Sequence, residues 1–240
     1  MLLITKYKLT DKSMETEEVE IATQYNPKAQ VYSKIFKSYN NSSIDSFYSH
    51  LLENYKDTKV LDLGCGDGAD MLELLKRSAR VSGVDSSKEM TELAIANVSN
   101  GDIRNESFAT TSFQDSQFDW VVTKWALQTH PDIEEVQKEV VRVLKPNGVF
   151  LFLVTHPLRQ FMEQRQYRDY FSNRLVTSRL FDNKVVVEEP NHSIAEYLNE
   201  YFCNHFQILA LEEGIDEGAE VIDGEVYPSF LLVKARKISN

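Results

Sequence analysis

The chain has 240 residues, 42% hydrophobic and 26% charged, with 37 Asp plus Glu against 26 Lys plus Arg for a formal net charge of -11. That is the composition of an ordinary soluble globular domain, long enough to bury a full core without staples. Its two cysteines, Cys65 and Cys203, exclude a disulfide framework and any Cys-rich metal site, and the acid excess argues against a surface built for a nucleic-acid backbone.

Met1-Leu2-Leu3-Ile4 turns polar too soon for a signal peptide, and residues 1 to 24 end in an acidic cluster without a period, which predicts a loose arm ahead of one domain over 25 to 240. Asn26-Pro27 is a helix start, with Val31, Ile35 and Tyr39 at helical spacing. Ile44, Phe47, Tyr48, Leu51 and Leu52 form the stripe of a second helix. From residue 57 the pattern alternates. Strands are predicted at Val60 to Leu63, Val81 to Val84 and Phe118 to Thr123, and helical faces at Met71 to Leu75, Met90 to Val98 and Ile133 to Leu144. The turn Lys145-Pro146-Asn147-Gly148 ends that last helix, and Val149 to Thr155 reads as a central parallel strand covered on both faces. Even this apolar run is far short of the roughly 20 residues a membrane helix needs. Residues 156 to 190 have no clean period and hold five of the ten arginines; a loop this long reads as a lid. Ser193-x-x-Glu196 is a capping box for a helix carrying Tyr197, Tyr201 and Phe202 on one face, and Phe206 to Leu211 and Phe230 to Val233 close the chain as strands. Alternating strands and helices mean an α/β sheet whose ligand lies beyond the carboxyl ends of its strands.

Three glycines, Gly64, Gly66 and Gly68, follow the first strand directly and precede a helix, where glycine permits a tight turn and close approach of a ligand. Asp62 stands two residues before them, and Asp85 ends the next strand, 21 residues after Gly64, where a carboxylate can accept both hydroxyls of a ribose. In these motifs the chain resembles the class I S-adenosylmethionine-dependent methyltransferases. Asp62-x-Gly64-x-Gly66-x-Gly68, Gly83-Val84-Asp85-x-Ser87-x-x-Met90, Phe118-Asp119-Trp120-Val121-Val122 and Arg142-Val143-Leu144-Lys145-Pro146-Asn147-Gly148 carry the resemblance, over about residues 25 to 155. It implies a three-layer Rossmann-like fold, with a seven-stranded, mostly parallel sheet whose last strand is antiparallel, and S-adenosylmethionine as cofactor. By position, Gly64, Cys65, Gly66 and Gly68 would wrap its methionine part. Asp85 would bind the ribose hydroxyls, Ser86 beside it is a further cofactor-binding candidate, and Met90 would lie against the adenine. Ser107 and Phe108 stand where the family usually has an acidic residue reading the adenine amino group. Thr123, Lys124 and Leu127 would border the methionine and the methyl, and Tyr25 or Tyr32 would be the early tyrosine folded over the cofactor. Gly64-x-Gly66-x-x-Ala69 with Asp85 also satisfies a nicotinamide-dinucleotide pattern, which leaves Asp62, Gly68 and the Lys-Pro-Asn-Gly turn unexplained.

Methyl transfer is an in-line displacement in which alignment does most of the work, and an O or N nucleophile also needs somewhere to send its proton. His156, directly after the fifth strand, is the candidate base; the competing reading is a strand-ending His-Pro pair bonded to backbone. His130 reads as a cap for the following helix and His192 as a surface-loop residue. Trp125, Arg159, Arg168 and Tyr170 are candidate acceptor contacts, because arginines beside aromatics would clamp an anionic or planar small molecule. No metal is expected. The predicted protein is cytoplasmic, a monomer or homodimer, with a small-molecule acceptor. RNA modification and a catalytically silent cofactor-binding module are the alternatives. The charge is uneven: residues 185 to 233 hold eleven acids and no Lys or Arg, which leaves 26 acids against 26 bases elsewhere.

Overall fold

A computed structural model gives the structure over residues 23–36, 41–163, 170–171, 175–180, 184–217, 219 and 221–239. A 3-10 turn at Asn26–Lys28 with Pro27 in its first turn leads into α1, Ala29–Phe36. Then come α2 (Ser42–Ser49), β1 (Lys59–Leu63), α3 (Ala69–Lys76), β2 (Arg80–Val84), α4 (Lys88–Asn97), β3 (Asp102–Arg104), β4 (Phe118–Lys124), α5 (Ile133–Val143) and β5 (Leu144–Thr155). The C-terminal part adds α6 (Pro157–Glu163), β6 (Leu175–Leu180), β7 (Val185–Pro190), α7 (Ile194–Tyr197), α8 (Glu200–His205), β8 (Phe206–Gly214) and β9 (Phe230–Lys237).

Seven strands form one sheet in the order β3-β2-β1-β4-β5-β9-β8. β9 runs antiparallel to both neighbours, while β3, β2, β1, β4 and β5 are mutually parallel, so the expected fold class is the observed one. Successive strand residues face opposite sides. Leu61, Val121, Phe150 and Phe152 pack with Val136, Val140 and Val143 of α5 on one face, while Val60, Val122, Leu151 and Leu153 pack with Phe47, Met71, Leu74 and Ala94 on the other. Both faces of β5 are therefore covered, which is why its sequence is apolar throughout. Lys237 Nζ lies 2.6 Å from Val141 O and 2.7 Å from Leu144 O, placing a cation on the terminal carbonyls of α5.

Several expectations differ in detail. β3 carries no signal in the sequence, because its three residues are exposed or half-buried and show no period. β5 begins at Leu144 and passes through the turn, where Asn147 takes the left-handed φ of 63° that its side chain tolerates. The helix expected after the capping box divides in two: Glu196 accepts from Ser193 N at 2.6 Å, but Asn199 starts a second helix by accepting from Phe202 N at 2.8 Å. Within 156 to 190 the structure has α6 and an antiparallel hairpin, β6 with β7. No helix among the described residues is long and apolar enough to cross a membrane.

Candidate active site

The loop between β1 and α3 is fixed by its glycines. Gly64, Gly66 and Gly68 have φ of 73°, 53° and 83°, so all three occupy the left-handed region. A Cβ on Gly64 would stand 2.2 Å from Ala126 Cβ, and one on Gly68 would stand 2.6 Å from Val98 Cγ2. A Cβ on Gly66 would meet nothing within 4 Å. The outer two glycines thus allow packing, and the middle one faces open space. Gly64→Ala should lower unfolding free energy by at least about 1–2 kcal/mol from the backbone alone, before the clash with Ala126 is added; a denaturation curve matching wild type would contradict this.

Beyond the loop, Gly64 N and Cys65 N donate to Val84 O at 2.8 and 2.9 Å, and this ties the loop to the end of β2. The next residue there is Asp85. Its Oδ2 accepts from Gly66 N at 2.9 Å and its Oδ1 from Ser87 N at 2.8 Å. Burial pushes this carboxyl up to about 6 even though both hydrogen bonds favour the ionised form. Ser87 caps α4 and donates to Asn26 Oδ1 at 2.7 Å, which fastens the N-terminal turn over the same place.

A cavity opens here at the carboxyl ends of β1, β2 and β4, the place where a sheet of this kind takes its ligand. Gly64, Gly66, Asp85 and Ser86 form its floor. Met90 and Phe108 form an apolar wall, Lys124 and Trp125 the end of β4, and Tyr25 and Tyr32 the cover. Ten of the anticipated residues therefore converge on one space. Ser87, Ala126, Thr129 and His130 line it as well and were not anticipated as lining. Ser87 had a sequence signal as an N-cap. His130 was read as a helix cap, a role that Asp132 takes instead by accepting from Glu135 N at 3.1 Å.

Asp62, Cys65, Gly68, Ser107, Thr123 and Leu127 are absent from the lining. Cys65 packs under β2, its thiol raised by burial, and Leu127 belongs to the core. Ser107 Oγ accepts from Ala109 N at 3.1 Å within its own turn, while Phe108 reaches the cavity. Asp62 is buried near the end of β1, and its Oδ2 has no hydrogen-bond partner among the described residues. Burial, and then Asp70, raise this carboxyl well above the usual range, while Lys124 pulls it back. Lys124 Nζ is itself held by Asp70 Oδ1 at 2.6 Å and lies 3.1 Å from the Tyr48 hydroxyl, which also donates to Asp70 Oδ1 at 2.6 Å.

Residues 61–152 match a family described as a methyltransferase domain. The chain is 30% identical over 159 residues to the demethylmenaquinone methyltransferase of Bacillus subtilis (strain 168), an alignment covering 59% of this chain and 68% of that protein. This chain belongs to the class I S-adenosylmethionine-dependent methyltransferases. Solved structures agree in fold. An S-adenosylmethionine-dependent methyltransferase from Mesorhizobium loti aligns with a TM-score of 0.64 at 21% identity, covering 80% of this chain and 96% of that one. The DhpI-SAM-HEP complex aligns with a TM-score of 0.65 at 22% identity, covering 95% of this chain and 100% of that one. The protein is an enzyme whose cofactor is S-adenosylmethionine. The nicotinamide reading of its glycine loop is set aside. The site fits that cofactor: an open cradle at Gly66, a backbone-held carboxylate at Asp85, an apolar slot at Met90 and Phe108, and an orphaned buried oxygen on Asp62.

On the acceptor side of this methyltransferase the expectations fare differently. His156 is not part of the cavity lining: its Nε2 lies 2.7 Å from Glu213 Oε1 on β8 and its Nδ1 accepts from Leu158 N at 3.1 Å. Both ring nitrogens are engaged in joining β5, α6 and β8, which is the competing strand-end reading. His156→Ala should accordingly leave the pH profile of turnover unchanged while lowering the melting temperature, checked by rates from pH 6 to 9 beside a thermal scan. Arg159 is buried, pairs with Glu163 at 2.8 Å and is absent from the lining. Arg168 lies outside the described residues. The expected arginine clamp is therefore not assembled among the described residues. Tyr170 stacks edge-on against Phe161, and its hydroxyl accepts from Ile194 N at 2.9 Å, so it braces the cap rather than lining the cavity. His192 is buried, with Nε2 2.9 Å from His130 O, and is no surface-loop residue.

Proposed function

We propose that this methyltransferase moves a methyl group to an O or N atom of a small-molecule acceptor, with the cofactor held in the cavity between the glycine loop and the N-terminal turn. Gly66 carries the reading: a left-handed residue facing open space, whose N–H fixes the carboxylate that lines the same space. In this account Asp85 accepts the ribose hydroxyls, and Met90 and Phe108 enclose the adenine. The backbone from Gly64 to Gly68 follows the methionine part, and Tyr25 and Tyr32 cover it. Phe108 supplies adenine recognition by packing, since Ser107 is occupied in its own turn. Asp62, unpartnered at Oδ2 and close to the Lys124–Asp70 pair, suits the ammonium end of the amino acid.

The bound cofactor supplies a methyl already activated by its sulfonium, so the protein's task is alignment and exclusion of water. A small acceptor is supported by the relative, which is named for demethylmenaquinone, and by the concave, partly open cavity. An uncharged or protonated acceptor suits the lining, because Lys124 in it is neutralised by Asp70. The test is incubation of the protein with a metabolite extract and isotope-labelled S-adenosylmethionine, read by mass spectrometry. One or more low-mass species should gain the label. Label appearing only in RNA, or nowhere, would overturn the reading.

A further inference from the structure

The loop after β3 runs beside the apolar wall of the cavity. β3 ends at Arg104, whose O accepts from Asp85 N at 3.2 Å, so Asn105, Glu106, Ser107 and Phe108 leave the sheet next to the carboxylate that lines the site. Of these four only Phe108 reaches the cavity, where it forms the wall with Met90. The other three carry the side-chain oxygens that could accept from an amino group placed against that wall, and none of them lines it.

Each of the three is committed elsewhere. Glu106 is spent within the loop: its Oε2 accepts from Ser112 N at 2.8 Å and its Oε1 from Ser112 Oγ at 2.5 Å, while Arg104 Nη1 donates to the same Ser112 hydroxyl at 2.7 Å. Ser107 Oγ accepts from Ala109 N at 3.1 Å. Asn105 is exposed, and its amide is anchored by donating to Asp85 O at 2.8 Å. The serine hydroxyls on the cavity side are also directed along the protein: Ser86 Oγ donates to Glu106 O at 3.4 Å, and Ser87 Oγ donates to Asn26 Oδ1 at 2.7 Å and accepts from Met90 N at 3.2 Å. Phe108, by contrast, is placed for packing. It belongs to the core, and its ring lies 5.6 Å, centroid to centroid, from that of His130 on the same wall, whose Nδ1 is 2.9 Å from Asp132 O.

We propose that the site holds the purine of its cofactor by packing against Phe108 and Met90 and does not read the exocyclic amino group, so that it binds a cofactor lacking that group about as well as the natural one. This rests on the placement of the cofactor given above. A protein acceptor aimed at an amino group makes a site selective, because removing the group leaves the acceptor buried and unpaired; sites built that way reject the analogue by about 10,000-fold or more. Here Glu106 and Ser107 keep their partners whether the amino group is present or not, so its removal strands neither of them. Packing acts through the ring face and is indifferent to what the ring edge carries. Selectivity for the cofactor then falls to the ribose at Asp85 and to the amino-acid end.

The test is calorimetric titration of the wild-type protein with S-adenosylhomocysteine and with its analogue carrying hydrogen in place of the adenine amino group, which leaves the ring nitrogens as they are. The two dissociation constants should agree within about tenfold; a larger preference for S-adenosylhomocysteine would overturn the proposal. Phe108→Leu should weaken both ligands by the same factor, about tenfold, because it removes ring packing alone. A variant that weakens S-adenosylhomocysteine and spares the analogue would show that this loop reads the amino group, and would also overturn it. Failure of S-adenosylhomocysteine to bind the wild-type protein at all would instead overturn the reading of the cofactor site.

Discussion

Asp85→Asn is expected to weaken S-adenosylmethionine binding by 100-fold or more at pH 8, because the amide cannot accept from both Gly66 N and Ser87 N and also take two ribose hydroxyls. The wild-type protein should show the same loss as a function of pH. Its carboxyl titrates near 6, raised by burial, and the ionised form is the one that accepts hydroxyl hydrogens. Affinity should therefore be full above pH 7 and fall about tenfold per unit below about pH 6, with a proton released on binding between pH 5 and 6. The stability of the unliganded protein runs the other way. A carboxyl raised in the folded state favours folding below its unfolded value, near 4, and that contribution is lost as pH rises through 6. At ~1.4 kcal/mol per unit the loss is on the order of 3 kcal/mol. The free site is thus destabilised by the charge that recognises the ligand. Calorimetric titrations from pH 5 to 8 check both trends, and a pH-independent affinity would contradict them.

The second large effect is expected at Lys124. Its side chain is 2% exposed and its ammonium is the partner of Asp70 as well as the group that moderates Asp62. Lys124→Met leaves the largely buried Asp70 carboxylate with only the Tyr48 hydroxyl among the described residues, and removing one partner of a buried pair costs up to about 3–5 kcal/mol. The loss should be largely recovered in Lys124→Met/Asp70→Asn. Urea unfolding of the single and double variants measures both; a double variant no more stable than Lys124→Met would show that the pair is not what matters.

The parts of the site legible in the sequence were those held by local backbone requirements. Gly64, Gly66 and Gly68 follow a strand at the spacing a tight turn demands, and Asp85 ends the next strand, so parallel pairing of β1 with β2 brings it to Gly66. Val149 to Thr155 announced a central strand because both its faces are covered. What stayed hidden depends on partners far along the chain. Nothing near His156 signals that Glu213, 57 residues later, holds its ring. Arg159 beside aromatic residues suggested an anion clamp, but Glu163, one helical turn on, takes its charge. The β6–β7 hairpin is hidden for a related reason: Leu175 is exposed and Glu189 is buried, so the apolar alternation that marks a strand is broken at the end where these two strands pair Leu175 with Pro190 and Val176 with Glu189. His130 resembles a cap in sequence because it stands just before a helix, while its place on the cavity wall follows from the turn after β4.

The most direct test of the account is equilibrium binding of labelled S-adenosylmethionine at pH 7.5 to wild type and to Asp85→Ala, with NADH as competitor. The account predicts one saturable site in wild type, unaffected by NADH and lost in the variant. Equal binding by both proteins, or displacement by NADH, would contradict it.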